Sequence, residues 1–172
     1  MSELTGDPVA DLHLKLSRGI MRMLKLGDQQ VKCVTDARYI PGQPDFVIQI
    51  SDGDDSPEGS EGGQAGNILK RRVGIKFSLF QRVMMDQFGE ARDALYEAGL
   101  GLVIRSAKLR QLLRVVKLDE IVGSSFYWQG TTGGAWVFEE QGQVIAQKTM
   151  IFSCVIAGEQ ATAVTLSEED CK

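Results

Sequence analysis

One histidine, His13, and three cysteines, Cys33, Cys154 and Cys171, are all the imidazole and thiol that 172 residues contain. A Ser-His-Asp or Cys-His arrangement would have to be built around that single histidine. The cysteines match neither a disulfide framework nor the paired spacing of a zinc site, so they read as plain thiols in a reducing compartment. His13 lies inside a helical stretch, and Asp11, two residues away, points to another helix face. It reads as a structural or surface residue. A deep polar pocket around it would instead mark a small-molecule enzyme. Long apolar runs are also missing: no window approaches the ~18 uninterrupted residues of a membrane span. The start, Met1 to Pro8, has neither the basic opening nor the apolar core of a signal peptide, so a soluble, cytoplasmically made protein is expected. With 19 basic against 23 acidic side chains the net charge is -4, which argues against wrapping nucleic acid over most of the surface and leaves room for a local basic patch. No internal repeat is visible.

What is present is one domain's worth of core. A chain of this length with 43% hydrophobic residues fits a single domain over 1–172. It is organised around Arg71–Lys117. Val73, Ile75, Phe77 and Leu79 alternate with Arg72, Gly74, Lys76 and Ser78, the period of a half-buried strand. From about Asp86 the spacing becomes helical, with Ala91, Leu95, Ala98, Leu102, Leu109, Leu112, Leu113 and Val116 on one stripe that can cover the sheet. Gly99 and Gly101 either break this helix into Asp86–Ala98 and Leu102–Val116 or permit a close crossing; a short extended piece at Leu100–Arg105 is a further option.

The remaining elements follow from local signals. Asp7 and Pro8 are an N-cap and a first helical residue, Gly27 is placed to end that helix, and Val9, Leu12, Leu16, Ile20, Met23 and Leu24 form its stripe. Leu14, Met21 and Leu26 widen the stripe toward burial on two sides. Val31–Thr35 and Asp45–Ser51 read as strands on either side of the turn-rich Tyr39–Pro44. Ile121–Trp128, Ala135–Glu139 and a long Val144–Ala157 complete a mixed, mainly antiparallel sheet. The expected fold class is α+β, with an N-terminal helix and a central long or broken helix packed on that sheet. Ser51–Asn67 is too poor in apolar residues to offset its ordering entropy and reads as a mobile acidic loop; 158–172 reads as a polar tail.

Motifs with chemistry in them are weak. Asp52-Gly53-Asp54-Asp55 has the opening of a calcium loop without the later ligands. Gly130-Thr131-Thr132-Gly133-Gly134 sits between strands, with no lysine following, and reads as a hairpin turn rather than a phosphate cradle. The carboxylate pairs Glu139-Glu140 and Glu168-Glu169-Asp170 read as solvated surface. No residue set carries an enzyme, a cofactor or a metal, and a non-enzymatic role is expected. Charge segregation says more. Arg105, Lys108, Arg110, Arg114 and Lys117 occur with no acid between Leu100 and Leu118, whereas Asp52, Asp54, Asp55, Glu58 and Glu61 fill the loop. These ten residues are the candidate contact surfaces between identical subunits. A nucleic-acid surface on residues 105–117 is the rival, and it lacks interleaved aromatics in the sequence.

The order of elements resembles a known family. A leading helix, Pro41-Gly42-Gln43-Pro44 before Asp45–Ile50, a polar loop, the strand Arg72–Leu79, a helix and a closing Val144–Ala157 look like the small neck and tail-completion proteins of long-tailed bacteriophages. Similarity is greatest to tail terminators and spans about residues 7–157. The resemblance implies a homohexameric ring that caps the tail tube and receives the filled head, a virion protein whose partners are itself, the tail tube and the head connector. Membrane has no part in it, and DNA meets the ring only in passing through. The long loop and the acidic tail leave a connector or tail-tube subunit as alternatives.

Overall fold

In a computed structural model, the structure describes residues 7–58, 70–83, 101–116, 126–131 and 136–157. The elements are α1 (Pro8–Leu24), β1 (Val31–Cys33), β2 (Phe46–Asp52), β3 (Ser56–Glu58), β4 (Lys70–Val83), α2 (Leu102–Leu113), β5 (Tyr127–Thr131), β6 (Trp136–Glu140) and β7 (Gln143–Ala157). They form the expected α+β arrangement. A seven-stranded sheet runs β1-β2-β4-β7-β5, with β3 joined to β4 and β6 to β7. β1 and β2 are parallel, and every other pairing is antiparallel.

The pair β4–β7 is the spine, in continuous register from Lys70↔Ala157 to Val83↔Val144. Because β7 occupies one side of β4 throughout, β2 and β3 share the other side. By the same logic β5 and β6 share the far side of β7. Val73, Ile75, Phe77 and Leu79 point to one face, where they meet Met150, Phe152 and Cys154 of β7, Ile48 and Ile50 of β2, Leu12, Leu16 and Ile20 of α1, and Leu102, Leu109 and Leu113 of α2. Phe77 and Phe152 pack edge to face with centroids 5.6 Å apart, a geometry that adds about 0.5–1.5 kcal/mol to the area they bury.

Several expectations change. β4 is not half-buried: Ser78 and Phe80 on its second face are also covered. There Ser78 and Thr149 share a hydroxyl hydrogen bond of 2.9 Å, and Tyr39, Phe80 and Ile145 form a smaller apolar cluster. Tyr39 is fixed over this cluster by its hydroxyl, which donates to Gln143 Oε1 at 2.6 Å. Asp7 caps α1 as expected, its carboxylate accepting from the Val9 and Ala10 N–H groups at 2.8 Å. The helix ends at Lys25 rather than Gly27. Lys25 takes the left-handed conformation (φ 54°), and Leu26 N–H returns to Met21 C=O at 2.9 Å, so the chain has already turned before the glycine. Met23 falls outside the buried stripe and is exposed.

Gly101 is the N-cap of α2, so Leu102–Arg105 is its first turn and not an extended piece. The proposed segment Asp86–Ala98 lies outside the described residues. So do Ile121–Ser125, the 132–135 part of the glycine-rich turn, residues 59–69 of the acidic loop and the 158–172 tail. Strand structure extends further into 51–67 than its composition implies. Ser51 and Asp52 close β2, and Ser56–Glu58 pairs with Lys70–Arg72 as β3. Backbone pairing with a strand already anchored in the core supplies what the apolar-poor side chains lack.

Candidate contact surfaces and a polar cavity

Parts of the two charged groups singled out in the sequence lie toward opposite edges of the sheet, Asp52, Asp54 and Asp55 beside β2 and β3 and Arg110 beside β5, whereas Arg105 sits over Phe46 of β2. Asp52 ends β2, and Asp54 and Asp55 follow it on the β2–β3 side of β4. α2 packs on β7 and β4, and its Arg110 guanidinium stands 4.9 Å from the ring centroid of Trp128 in β5. Through the register Asp52↔Ile75↔Phe152↔Trp128 the acidic end and the aromatic strand are three strand spacings apart, about 14 Å from backbone to backbone.

The basic residues of α2 divide. Arg105 is half-buried, with its guanidinium 4.0 Å from the Phe46 ring centroid, so much of its role is internal packing. Lys108, Arg110 and Arg114 are exposed. No ion pair or ring contact joins Lys108 or Arg114 to another described residue. Lys117 lies outside the described residues. Lys148, on the helix-covered face of β7, has its pKa lowered by burial and by the neighbouring Arg110. Exposed apolar side chains gather on this side: Val115 after α2, Trp128 on β5 and Val137 on β6. Arg72 of β4 covers the Tyr127 ring from the other face of the sheet, at 5.6 Å. Trp128 is the aromatic that the sequence of 105–117 lacks. Distance in the chain hid it, since nothing local ties residue 128 to residue 110.

The acidic residues are equally divided. Asp55 binds Arg71, accepting from its Nε at 3.0 Å and from a second guanidinium nitrogen. Asp52 Oδ1 stands 3.5 Å from His13 Nε2. Asp54 uses its backbone, its carbonyl accepting from Gly74 N–H at 3.1 Å. Glu58 is in β3 opposite Lys70, and Glu61 lies outside the described residues.

His13, Asp52, Asp55 and Arg71 thereby meet at one end of the core, where they and the first turn of α1 (Asp7, Val9, Ala10) line a polar cavity of about 310 Å³. The sequence contains the signal for this grouping, although no contiguous motif. Asp52 continues the inward face of Phe46, Ile48 and Ile50, Arg71 continues that of Val73 and Ile75, and His13 adjoins Leu12 and Leu16 on α1. His13 is only 8% exposed. Burial lowers its pKa below 6.5 and outweighs the opposing pull of Asp52, Asp55 and Asp7, so the imidazole is neutral near pH 7. This is a polar pocket around the single histidine, the feature that would mark an enzyme. Among the described residues its lining offers carboxylates, an imidazole and a guanidinium, but no serine, threonine, cysteine or lysine to serve as nucleophile. Compared with known proteins, the chain matches no family model and no curated protein sequence.

Proposed function

We propose that the protein is a non-enzymatic structural subunit that works by closing into a ring of identical copies, as the resemblance to tail terminators and head-tail joining proteins of long-tailed bacteriophages implies. In that role it is a homohexamer in the virion, made in the host cytoplasm, which caps the tail tube and meets the head connector. DNA passes through its centre. A tail-tube subunit is the same reading at a neighbouring position in the particle. The observation that supports it is the separation of Asp52, Asp54 and Asp55, beside β2 and β3, from the exposed Arg110, beside β5. Such charges cannot neutralise one another within a protomer, and they match when the acidic side of one copy meets the basic side of the next. A contact between two different patches is heterologous, and it closes into a ring when the rotation between copies divides a full turn.

Charge sets orientation more than strength. Exposed ion pairs contribute about 0–1 kcal/mol each, so the affinity must come from buried apolar surface. Val115, Trp128 and Val137 provide such surface on the basic side. The test is the mass of the purified full chain by light scattering after gel filtration, with negative-stain images of the main peak. Rings of uniform subunit number support the reading, and a monomer at all concentrations opposes it.

A second reading has one specific observation in its favour: Trp128 and Arg110 put an aromatic ring beside the exposed cations of α2, the pairing used to stack bases of single strands. A monomer that shifts single-stranded DNA, with affinity falling steeply as salt rises, would select this regulator over the ring.

A further inference from the structure

We infer that the exposed indole of Trp128 is a stacking platform for one unpaired base of a nucleic-acid strand, and that Arg110 and Lys148 beside it hold the adjoining phosphate; this deepens the second reading above and rests on it. Trp128 is 49% exposed, yet its orientation is fixed from two directions. Its Nε1–H donates to the Gly130 carbonyl at 3.0 Å, and the Arg110 guanidinium lies 4.9 Å from the ring centroid. The pairing of β5 with β7 slips between Trp128 and Gly130, and Gly130 takes φ 139°, a conformation that favours glycine. Such a bulge re-aims the side chain next to it. A large aromatic ring gains by burial, so an indole pinned in the open is a contact surface prepared in advance, with little ordering entropy left to lose on binding.

The cations around the ring lack anions. Lys148 lies between the residues of β7 that pair with β5 and with β6, on the same face of the sheet as Trp128. Burial lowers its pKa and the neighbouring Arg110 lowers it further, and among the described residues no carboxylate pairs with either side chain. Two like charges held together favour an anion between them. A guanidinium stacked on an indole keeps the N–H donors at the edge of its plane for a phosphate. Arg114 stands one helical turn beyond Arg110, Lys108 is also exposed, and α2 carries no acid from Leu102 to Leu113, so further phosphates have cations along the helix. An acidic protein surface would use these charges and leave the indole idle. A strand of nucleic acid uses both, because every base has a π face and every nucleotide a phosphate, and a single strand presents that face where a duplex hides it.

The test uses the full chain and a labelled oligothymidylate of about 20 nucleotides, read by fluorescence anisotropy over a range of salt concentrations. Wild type should bind the strand and prefer it to the matching duplex. Trp128→Ala should weaken binding by about fivefold or more, while Trp128→Phe stays within about threefold of wild type. R110Q/K148Q should reduce the slope of log affinity against log salt by about 0.7, the share of one phosphate on a single strand, and keep the preference for single strand over duplex. Quenching of Trp128 emission in a Trp136→Phe background reads the platform without disturbing it: a stacked indole is quenched, and unchanged emission with the strand bound overturns the platform. Wild type and folded Trp128→Ala binding equally well also overturns it, and leaves a regulator that acts through other residues. Wild type that ignores the strand at about 50 mM salt overturns the platform and the second reading together, and leaves the ring reading standing. Polyglutamate bound more tightly than the oligothymidylate assigns the cations to an acidic protein surface and overturns the base site.

Discussion

Gly53 and Gly74 meet backbone to backbone where β2 passes into β3, with Gly53 N–H donating to Gly74 C=O at 2.8 Å. A Cβ on Gly74 would stand 2.7 Å from the Asp54 carbonyl oxygen, and one on Gly53 would stand 2.7 Å from the Gly74 carbonyl carbon. Neither neighbour is a side-chain end that can swing aside. The close approach turns the chain after Asp52, brings Asp55 to Arg71 and so builds the far wall of the cavity.

Gly74→Ala is therefore expected to destabilise the fold by about 1–3 kcal/mol, the usual cost of overpacking an unyielding site. Gly19→Ala is the control in the opposite direction. Gly19 lies within α1 with nothing within 4 Å of an added Cβ, and alanine there should stabilise by about 1 kcal/mol. Urea midpoints of both variants check the pair. Equal midpoints for Gly74→Ala and wild type would mean that the two backbones are not in contact.

The burial of His13 fixes the sign of a pH dependence. Its folded pKa is lowered, so below pH 6.5 the unfolded chain binds the proton more readily than the folded one. Stability is full above 6.5, declines as the pH falls through 6.5 toward the folded value, and then levels off. One proton limits the slope to about 1.4 kcal/mol per pH unit. Urea midpoints from pH 7.5 to 5.5 should show this decline in wild type and lose most of it in His13→Gln. A wild-type midpoint that rises on acidification would contradict the neutral, buried imidazole.

Cys154 sits in the β4–β7 core opposite Val73, and burial pushes its pKa up to about 12. At pH 8 that leaves about one thiolate in ten thousand, before access is considered. In a Cys171→Ser background, a thiol reagent should modify exposed Cys33 in the folded protein and Cys154 only on unfolding. Cys154 reacting at the same rate as Cys33 in native buffer would contradict the packing of the spine.

Gln49 is a buried amide on the second face of β2, 1% exposed, that accepts from Arg38 N–H at 2.9 Å and donates to Arg38 C=O at 2.7 Å. It thereby fixes the irregular segment carrying Tyr39 to the sheet. Gln49→Leu keeps the volume and leaves two backbone groups without partners, so a loss of about 2 kcal/mol is expected. Thermal or urea denaturation reads this directly, and a neutral outcome would show that Arg38 pairs elsewhere.

The elements legible in the sequence are those whose burial is periodic over many residues. α1, β4 and β7 are all visible as stripes or alternations, and Asp7-Pro8 marks a helix start through chemistry confined to adjacent positions. β3 is not legible because Ser56–Glu58 owes its strand geometry to the backbone of β4 and not to its own side chains. Lys25 is overlooked as a helix end because a left-handed lysine violates the glycine preference that identifies such ends. The candidate contact residues are legible as charge runs, but their internal partners are not. Arg105 with Phe46, Arg110 with Trp128 and His13 with Asp52 are separated by 59, 18 and 39 positions, and only the register of the sheet brings them together.

The central claim, that opposite edges of this sheet join copies of the chain head to tail, is tested most directly by the mass of the full chain measured by light scattering at 50 mM and 500 mM salt. The account predicts a closed oligomer at low salt, six copies if the resemblance extends that far, with partial dissociation at high salt because the orienting charges are exposed. A protein that remains a monomer at both salt concentrations and at every protein concentration examined would contradict it.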